Sequence, residues 1–394
     1  MIPVFSARFG GPVTVVRSIS KELSKRHEVT VYTTSALDQR HDFKNSPFKT
    51  EANGYSIVYF PRVSISGRFD VSPAMARALQ ETLSHFDVVH LHSWRHFQDI
   101  IVHHYAKKYD VPYVLQAHGS ISRGVAKHRV KWIYDASFGR RLLRDASRVI
   151  ALSDLEAEQY RNVGVPTEKI VVVPNGIDLS EYADLPPKGS FKKKFGIDKD
   201  EKIVLYFGRI HRTKGIDFLI KAYAQLIKNL KSKHELLVIA GPDDGYLTEA
   251  KSLVSALGIF DRVLFAGSLT KCEKVSAFID SSLVISPERY NVFLLVPLEA
   301  AACGKPVIVS SANYISHMVR EGGLGFSVKY DDVCELAETM RKVLNDNDIL
   351  REIGQKARKF VFENCDWTNI VVKLEGVYQE ITAPKVLSGL EHAC

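Results

Sequence analysis

The sequence predicts an α/β protein of two doubly wound domains that face a central cleft. Apolar strand-like segments alternate with amphipathic helical segments along most of the chain, a pattern typical of parallel sheets covered by helices on both faces. This alternation pauses at a polar, basic stretch near residues 175–200 and then restarts. The length of 394 residues also exceeds the ~100–200 residues of one ordinary domain.

The first domain is predicted to span residues 1–178. Its strands are expected at 27–33, 55–60, 87–92, 113–117 and 147–152, with helices at 73–85 and 96–108. Only Met1–Phe5 precede the Gly10-Gly11 turn, so an opening strand of ~5–6 residues barely fits. Either the N-terminus is trimmed or this strand is unusually short, and in such folds it lies in the middle of the sheet.

The second domain is predicted to span residues 179–365. Its strands are expected at 202–208, 235–240, 262–266, 283–286 and 307–310, with a short helix from about Val296. A final helix at 366–382 is expected to cross back to the first domain, and residues 383–394 to form a loose tail. In such sheets, ligands bind at the carboxyl ends of the strands.

Composition limits where in the cell the protein is expected and which partners it is expected to bind. The chain lacks both an apolar run of ~20 residues and the features of a signal peptide, and its five cysteines are scattered and odd in number. These features predict a cytoplasmic protein and argue against a disulfide framework or a zinc site. The net charge of +8 favours phosphates, nucleic acid or an acidic membrane surface, but no nucleic-acid motif accompanies it, so no nucleic-acid partner is expected.

A first motif, Phe207-Gly-Arg-Ile-His-Arg-Thr-Lys-Gly215, follows the opening strand of the second domain. Arg209 and Lys214 would direct two positive charges at one point beside a helix start. Fixed cations there would stabilise a diphosphate that leaves with extra negative charge. The alternative is a pair of solvated basic residues in a loop, which this context disfavours.

A second motif lies between the strand that ends at Ser286 and the strand that begins at Val307. Glu299 falls about one turn into the short helix between them. A carboxylate there can accept two hydrogen bonds from a ribose diol, whereas the alternative for a lone helical Glu is a solvated face. Asp243-Asp244 and Asp331-Asp332 are interpreted as turn and cap residues rather than as a metal-binding acidic pair.

The segments Gly208–Gly215 and Pro297–Ile308 together resemble the retaining GT-B glycosyltransferases of family 4. Phe9–Pro12, Ala117-His118-Gly119 and Val173–Asp178 fit the same pattern, in the expected order, over roughly residues 5–382. The resemblance implies a GT-B fold with two Rossmann-like domains, an acceptor domain first and a nucleotide-sugar donor domain second. It also implies transfer of a sugar from a UDP- or GDP-linked donor to a lipid-linked, glycan or small-molecule acceptor.

The resemblance implies a role for each matching residue. Arg209 and Lys214 would bind the donor diphosphate and act in catalysis, Glu299 would bind the ribose, and His118 would face the reacting sugar. The other donor-binding positions are expected at Gly10, Gly11, Asn291, Phe293, Leu294 and Leu295. Neither a metal nor another cofactor is expected, because the nucleotide sugar is itself a substrate. For His118, a histidine that is merely hydrogen-bonded at a strand end is the alternative.

Two positions depart from the family pattern. Asn291 stands where the family has a Glu, eight positions before Glu299, and Leu294 stands where it has a Gly. Asn can still bind a sugar hydroxyl but carries no charge, and Leu294 would crowd the loop near the donor sugar. A catalytically impaired nucleotide-sugar-binding homologue, or a sugar phosphorylase or epimerase on the same fold, therefore remains an alternative.

The acceptor side carries a basic segment from Ala126 to Arg144 with interspersed apolar residues, among them Trp132, Ile133 and Phe138. Such an amphipathic helix can lie on anionic lipid, which would make the protein a peripheral protein of the inner membrane face. An ordinary helix with a buried apolar face and a solvated basic face is the alternative.

Overall fold

Strands and helices alternate along both halves of the chain in the computed structural model. The structure describes residues 1–5, 11–35, 46–65, 69–92, 94–121, 128–229, 234–288 and 293–383. The chain divides into an N-terminal unit, Met1–Pro174 with the segment from Trp367 onward, and a C-terminal unit, Asn175–Asp366. The first boundary thus falls at 174, beside the predicted 178, and the last helix is counted with the N-terminal unit.

The N-terminal unit contains nine strands in its described residues. They are β1 (Thr30–Thr34), β2 (Phe48–Ala52), β3 (Tyr55–Phe60), β4 (Val63–Ile65), β5 (Phe69–Val71), β6 (Val89–Leu91), β7 (Tyr113–Gln116), β8 (Arg148–Ala151) and β9 (Ile170–Val172). Its helices are α1 (Gly11–Leu23), α2 (Pro73–Thr82), α3 (Phe97–Tyr109), α4 (His128–Tyr134), α5 (Arg140–Asp145), α6 (Asp154–Asn162) and α15 (Trp367–Thr382). The strands expected from the sequence are all present, with ends that differ by a few residues.

The opening segment lies between two sheets of this unit. The sheets have the orders β1-β3-β2 and β6-β7-β8-β9. On one side, the Thr34 amide donates to the carbonyl of Pro3 at 3.3 Å, and on the other the His92 amide donates to the carbonyl of Met1 at 2.8 Å. The segment thus takes the middle position that was predicted, but it forms an isolated bridge from Val4 to Thr34 in place of a regular strand. Pro3 has no N–H to donate, which limits regular pairing there.

Two antiparallel pairs break the parallel pattern that the sequence predicted: β4 with β5, and the hairpin of β2 and β3. β2 pairs antiparallel with β3, while β1 pairs parallel with β3. Asn53 and Gly54 connect the two strands, both with positive φ. A two-residue turn of this kind favours an antiparallel hairpin, and the Asn-Gly pair is its sequence signal.

The basic segment is not one continuous helix. Between α4 and α5 the residues Asp135–Gly139 form a π-helical turn. The side chain of Asp135 is held by Arg95, whose Nε donates to Oδ1 at 2.9 Å, and a Cβ on Gly139 would lie 3.2 Å from the ring of Trp94. The close packing against Trp94 and the ion pair with Arg95 accompany the wider turn, a feature that helical spacing alone does not reveal.

A buried carboxylate joins two strand ends of this unit. Glu156, on α6, is fully buried. Its Oε1 accepts from the Gly119 amide at 2.6 Å, and its Oε2 accepts from the Leu152 amide at 2.7 Å. These two amides follow β7 and β8, so Glu156 fixes the two loops at the carboxyl ends of neighbouring strands. Burial raises the pKa of Glu156 to about 7, although both backbone hydrogen bonds lower it.

The C-terminal unit contains one six-stranded parallel sheet. Its strands are β10 (Lys202–Phe207), β11 (Glu235–Ala240), β12 (Val263–Gly267), β13 (Ser281–Ser286), β14 (Val307–Ser310) and β15 (Gly325–Val328). Its helices are α7 (Ser190–Phe195), α8 (Ile216–Asn229), α9 (Leu247–Ala256), α10 (Lys271–Asp280), α11 (Val296–Ala302), α12 (Ser316–Glu321), α13 (Val333–Leu344) and α14 (Asn347–Asn364). The apolar clusters of the unit each combine strand and helix residues.

The order of these strands defines a switch point. The sheet runs β12-β11-β10-β13-β14-β15, so successive strands are added on one side of β10 as far as β12 and on the other side from β13 onward. Open parallel sheets bind ligands at the carboxyl ends of the strands where the order reverses. In this unit that place lies between the loops that follow β10 and β13.

Replacing Glu156 by Gln should destabilise the N-terminal unit. A glutamine side chain keeps only one acceptor oxygen, so one of the two buried amides loses its partner, at a cost of about 1–3 kcal/mol in the free energy of unfolding. Urea unfolding followed by tryptophan fluorescence measures this directly, because Trp94, Trp132 and Trp367 all belong to the N-terminal unit. Glu158→Gln, on the exposed face of α6, is the control. Equal midpoints and slopes for the two variants would contradict the role of Glu156.

Candidate active site

Arg209 and Asp244 form an ion pair beside the end of β10. Arg209 follows Gly208, and one of its guanidinium nitrogens donates to a carboxylate oxygen of Asp244. Both side chains are exposed, by 60% and 43%, so the pair is open to solvent and to ligands. Asp243 has the predicted turn role, because its Oδ1 accepts from the amides of Gly245, Tyr246 and Leu247. Asp244 lies in the same bend, and its side chain pairs with Arg209.

The other acidic pair agrees with its interpretation. Asp332 caps α13 by accepting from the Glu335 amide at 2.9 Å, and Asp331 has a positive φ of 68° in the preceding turn. Among the described residues, no three His, Cys, Asp or Glu side chains converge as the ligands of a metal would. The four cysteines in the described part of the chain, Cys272, Cys303, Cys334 and Cys365, form no disulfide.

Lys214 lies next to the buried carboxyl group of Glu288. It ends the short 3-10 turn Arg212–Lys214, and its Nζ lies 3.8 Å from Oε1 of Glu288. The side chain of Glu288 is only 7% exposed. Burial raises the pKa of Glu288, while the nearby Lys214 ammonium lowers it. Among the described residues, no group hydrogen-bonds to Oε2 of Glu288, so the carboxyl group is bound on one side only.

Two close backbone contacts bring the strand-end loops together. A Cβ on Gly241, after β11, would lie 1.9 Å from the carbonyl oxygen of Gly208, after β10. A Cβ on Gly215 would lie 2.1 Å from the carbonyl oxygen of Pro287, after β13. Both glycines also have positive φ, 142° and 67°, which side chains disfavour. The loops that carry Arg209, Lys214 and their acidic partners therefore touch through backbone where only glycine fits.

Glu299 lies in the first turn of α11, as the sequence predicted. Its Oε1 accepts from the Nζ of Lys274, on α10, at 2.9 Å. The two side chains are only 15% and 17% exposed. The carboxylate thus has a positively charged partner from a neighbouring helix. The sequence did not predict this contact.

The segment before α11 packs into the core. Leu294 is 8% exposed and belongs to the main apolar cluster of the C-terminal unit, with Phe293 and Leu295 packed against it. This placement gives Leu294 an internal packing role, and the expected crowding of the donor loop stays a prediction. Asn291 lies outside the described residues, so its expected contact with the donor stays a prediction.

His118 occupies a strained position after β7. Its φ is 51°, an unusual value for a residue with a side chain. Its Nε2 lies 3.1 Å from Nδ1 of His92, which follows β6, and the neighbouring Gly119 amide is held by Glu156. Burial lowers the pKa of His118 to about 4, so the imidazole is neutral near pH 7. The contact with His92 uses one of its two ring nitrogens.

Of the two glycines expected to bind the donor, the structure describes Gly11 only. Gly10 lies outside the described residues. Gly11 begins α1, and a Cβ placed on it would meet no atom within 4 Å in the described part of the chain. Internal packing there therefore does not require glycine, and the proposed approach of a ligand to this amide stays a prediction.

The structure thus groups the predicted residues within each unit. Arg209, Lys214 and Glu299 belong to the C-terminal unit and follow β10 and β13, the two strands at its switch point, while His118 and Gly11 belong to the N-terminal unit. Sequence reasoning missed Asp244, Lys274, His92 and Glu156 as partners of these groups. His92 had a detectable signal, because His90-Leu-His92 ends a predicted strand.

A helix that crosses a bilayer must be long and apolar. No helix among the described residues combines the length and apolarity needed to cross one. The basic segment carries exposed apolar side chains next to cations.

Comparisons with known proteins agree with this architecture. The family described as Glycosyltransferase Family 4 matches residues 9–181, and the family described as Glycosyl transferases group 1 matches residues 187–360. D-inositol 3-phosphate glycosyltransferase of Gordonia bronchialis is 30% identical over 319 residues, which cover 77% of this chain and 68% of that protein. N-acetyl-alpha-D-glucosaminyl L-malate synthase of Bacillus anthracis is 25% identical over 390 residues, or 94% of each chain.

Among solved structures, Anabaena HepE in complex with UDP is similar in fold. It has a TM-score of 0.77 at 20% identity and covers 96% of this chain and 98% of its own; the same protein has also been solved with UDP-glucose. The two matching families together span most of the chain, and the relatives match across both units. The chain belongs to the group 1 glycosyl transferases and is a glycosyltransferase with the GT-B fold.

Proposed function

We propose that this glycosyltransferase moves a sugar from a UDP- or GDP-linked donor to a hydroxyl of its acceptor with retention of anomeric configuration. The bond between the anomeric carbon and the diphosphate oxygen breaks, and a bond to the acceptor oxygen forms on the same face. The acceptor proton goes to an oxygen of the leaving diphosphate. No carboxylate nucleophile is assigned.

The position of Arg209 and Lys214 at the switch point carries this proposal. Both cations follow β10, where the glycine contacts hold the loops of β10, β11 and β13 together. A leaving diphosphate gains negative charge as its bond to the sugar breaks. Cations that are already fixed in place stabilise that charge more in the transition state than in the ground state.

The named relatives support the donor class and leave the acceptor open. HepE has been solved with UDP and with UDP-glucose. The names of two relatives contain D-inositol 3-phosphate and L-malate, which differ in carbon skeleton but are both hydroxyl-bearing anions. A lipid-linked, glycan or small-molecule acceptor is therefore proposed only as a hydroxyl-bearing compound.

Replacing Arg209 by Ala should lower kcat/KM for the donor by roughly 100-fold, the cost typical of removing one group that stabilises a developing anion. The measurement is release of UDP or GDP from a panel of UDP- and GDP-sugars, followed by mass spectrometry. Arg212→Ala is the matched control, because Arg212 lies in the same loop, is 74% exposed and approaches Glu249 only at 3.9 Å. A loss in the control equal to that in Arg209→Ala would argue against a specific diphosphate contact.

The same assay separates the alternative activities. A phosphorylase would need inorganic phosphate for turnover and would release a sugar phosphate, and an epimerase would release no nucleoside diphosphate. A homologue without transferase activity would bind a nucleotide and release none. Proton NMR of the glycosidic product compares its anomeric configuration with that of the donor, and inversion would contradict the retaining mechanism.

Removal of metal ions should leave the activity unchanged. We propose that Arg209 and Lys214 supply the positive charge that a divalent cation supplies in some transferases, so no metal or other cofactor is needed. Turnover is measured with and without EDTA, and after addition of Mg²⁺ or Mn²⁺. A loss of activity in EDTA that either ion restores would overturn this part of the proposal.

We further propose that the surface formed by α4, the π turn and α5, here called the basic surface, contacts anionic membrane from the cytoplasmic side. Trp132, Ile133 and Phe138 are 55%, 57% and 46% exposed, and Arg140 and Arg141 are exposed beside them. Apolar side chains next to cations suit the boundary between anionic headgroups and acyl chains. The buried leucines of α5 anchor the same segment in the core.

Binding to phosphatidylglycerol vesicles should weaken about tenfold in the double variant Trp132→Ser/Phe138→Ser, because buried aromatic area supplies part of the membrane affinity. Cosedimentation with phosphatidylglycerol vesicles is compared with cosedimentation with phosphatidylcholine vesicles. The protein should bind the latter weakly because they lack net negative charge. Phe260→Ser is the control, since Phe260 is 73% exposed in the C-terminal unit. Equal sedimentation of wild type and the double variant would contradict the membrane contact and favour an ordinary helix with a solvated basic face.

A further inference from the structure

Glu299 and Lys274 form the closer of the two shielded ion pairs among the groups proposed to bind the donor. Their Oε1 and Nζ atoms lie 2.9 Å apart, with side chains that are 17% and 15% exposed. The pair between Arg209 and Asp244 is far more exposed, and Lys214 lies 3.8 Å from Glu288. Exposed pairs contribute little to stability or to orientation, whereas a shielded pair with a charge-assisted hydrogen bond is geometrically defined.

The two helices that carry this pair are anchored in one core. Val275 and Phe278 of α10 and Leu298 and Ala300 of α11 belong to the same apolar cluster. α10 also begins with a capping box, in which Thr270 and Glu273 satisfy each other's amides. The backbone positions of Lys274 and Glu299 are therefore set by packing that does not depend on their charges.

A third side chain confines the lysine. The Nζ of Lys274 lies 5.8 Å from the ring centre of Tyr182, a residue that is almost fully buried. Cations are attracted to aromatic faces at this distance. Lys274 is thus bounded by the ring of Tyr182 and by the carboxylate of Glu299, which restricts the arrangements that its flexible side chain would otherwise sample.

We propose that Lys274 is a positioning residue for the nucleoside of the donor, acting through Glu299. This inference rests on the proposed function, in which Glu299 accepts hydrogen bonds from the ribose hydroxyls. By holding Oε1, Lys274 selects one orientation of the carboxylate. Each carboxylate oxygen has two lone pairs, so Oε1 can accept a ribose hydroxyl while it stays bound to Lys274, and Oε2 can accept the other.

The ribose lies apart from the bond that breaks, so this contact should act on binding more than on chemistry. An interaction that is equally strong in the ground state and in the transition state lowers KM without raising kcat. Loss of Lys274 should accordingly raise the KM for the donor and leave kcat almost unchanged. A merely structural role would lower the yield of folded protein and would not depend on the ribose.

The test is isothermal titration with UDP and GDP, and with the 2′,3′-dideoxy form of whichever nucleotide binds. For Lys274→Met, the Kd of the natural nucleotide should rise about tenfold, the equivalent of one charge-assisted hydrogen bond. For the dideoxy nucleotide, the Kd of Lys274→Met should equal the Kd of wild type. Lys274→Arg should recover most of the affinity, because Arg can still donate to Oε1.

Three further variants complete the design. Lys271→Met is the matched control, because Lys271 begins the same helix but pairs with Glu181 and is 64% exposed; its Kd should match wild type. The double variant Lys274→Met/Glu299→Ala should bind no more weakly than Glu299→Ala alone, since both changes remove the same contact. Lys274→Gln repeats the test if the Met variant is poorly folded by circular dichroism.

The outcomes separate this inference from the proposed function. Wild type that binds neither nucleotide would overturn both. Wild type that binds while Lys274→Met binds equally well would overturn the role of Lys274 alone. A loss of affinity in Lys274→Met that is the same for the natural and the dideoxy nucleotide would also overturn it, because the ribose hydroxyls would then not be involved.

Discussion

The candidate donor site depends on two places where backbone touches backbone without room for a side chain. Gly241 lies against the carbonyl of Gly208, and Gly215 lies against the carbonyl of Pro287. These contacts join the loops that follow β11, β10 and β13, so the backbone positions of Arg209 and Lys214 are fixed relative to the central strands. A cation placed on separate, wider loops would have to be ordered when the ligand binds, and that ordering would reduce its effect on the transition state.

Charge pairing is the second constraint, because each ionic group proposed to meet the donor already has a partner of opposite sign. Arg209 pairs with Asp244 in solvent, Lys214 lies above the buried Glu288, and Glu299 is held by Lys274. The exposed pair can separate at little cost. The shielded pairs keep their charges close even when a ligand is absent, since separating them would leave a charge poorly solvated. Arg209 is thus the cation most available to an incoming diphosphate, while Glu299 is the most rigidly oriented of the three groups.

The sequence predicted those parts of the fold that depend on local patterns. Apolar alternation located the strands of both units, and the spacing from Arg209 to Gly215 located a loop at the end of β10. Contacts between elements were not predictable in this way. Asp244 was assigned to a turn like its neighbour Asp243, because nothing local shows which of the two carboxylates pairs with Arg209 in the loop after the adjacent strand β10. Lys274 is 25 positions from Glu299, and their contact follows only from how α10 and α11 pack on one core. The π turn at Asp135–Gly139 similarly depends on Trp94 and Arg95, which lie on a different loop.

Leu294, which departs from the family pattern, also has a role in packing. From sequence, a leucine in place of glycine indicated an obstacle in the donor loop. In the structure the residue is buried among the apolar side chains that support α11, with Phe293 and Leu295 beside it. Burial of Leu294 anchors the chain just before α11, which lowers the number of conformations available to the first turn of that helix. Glu299 lies in that turn, so its carboxylate is carried by backbone that the core restrains and is bound at Oε1 by Lys274.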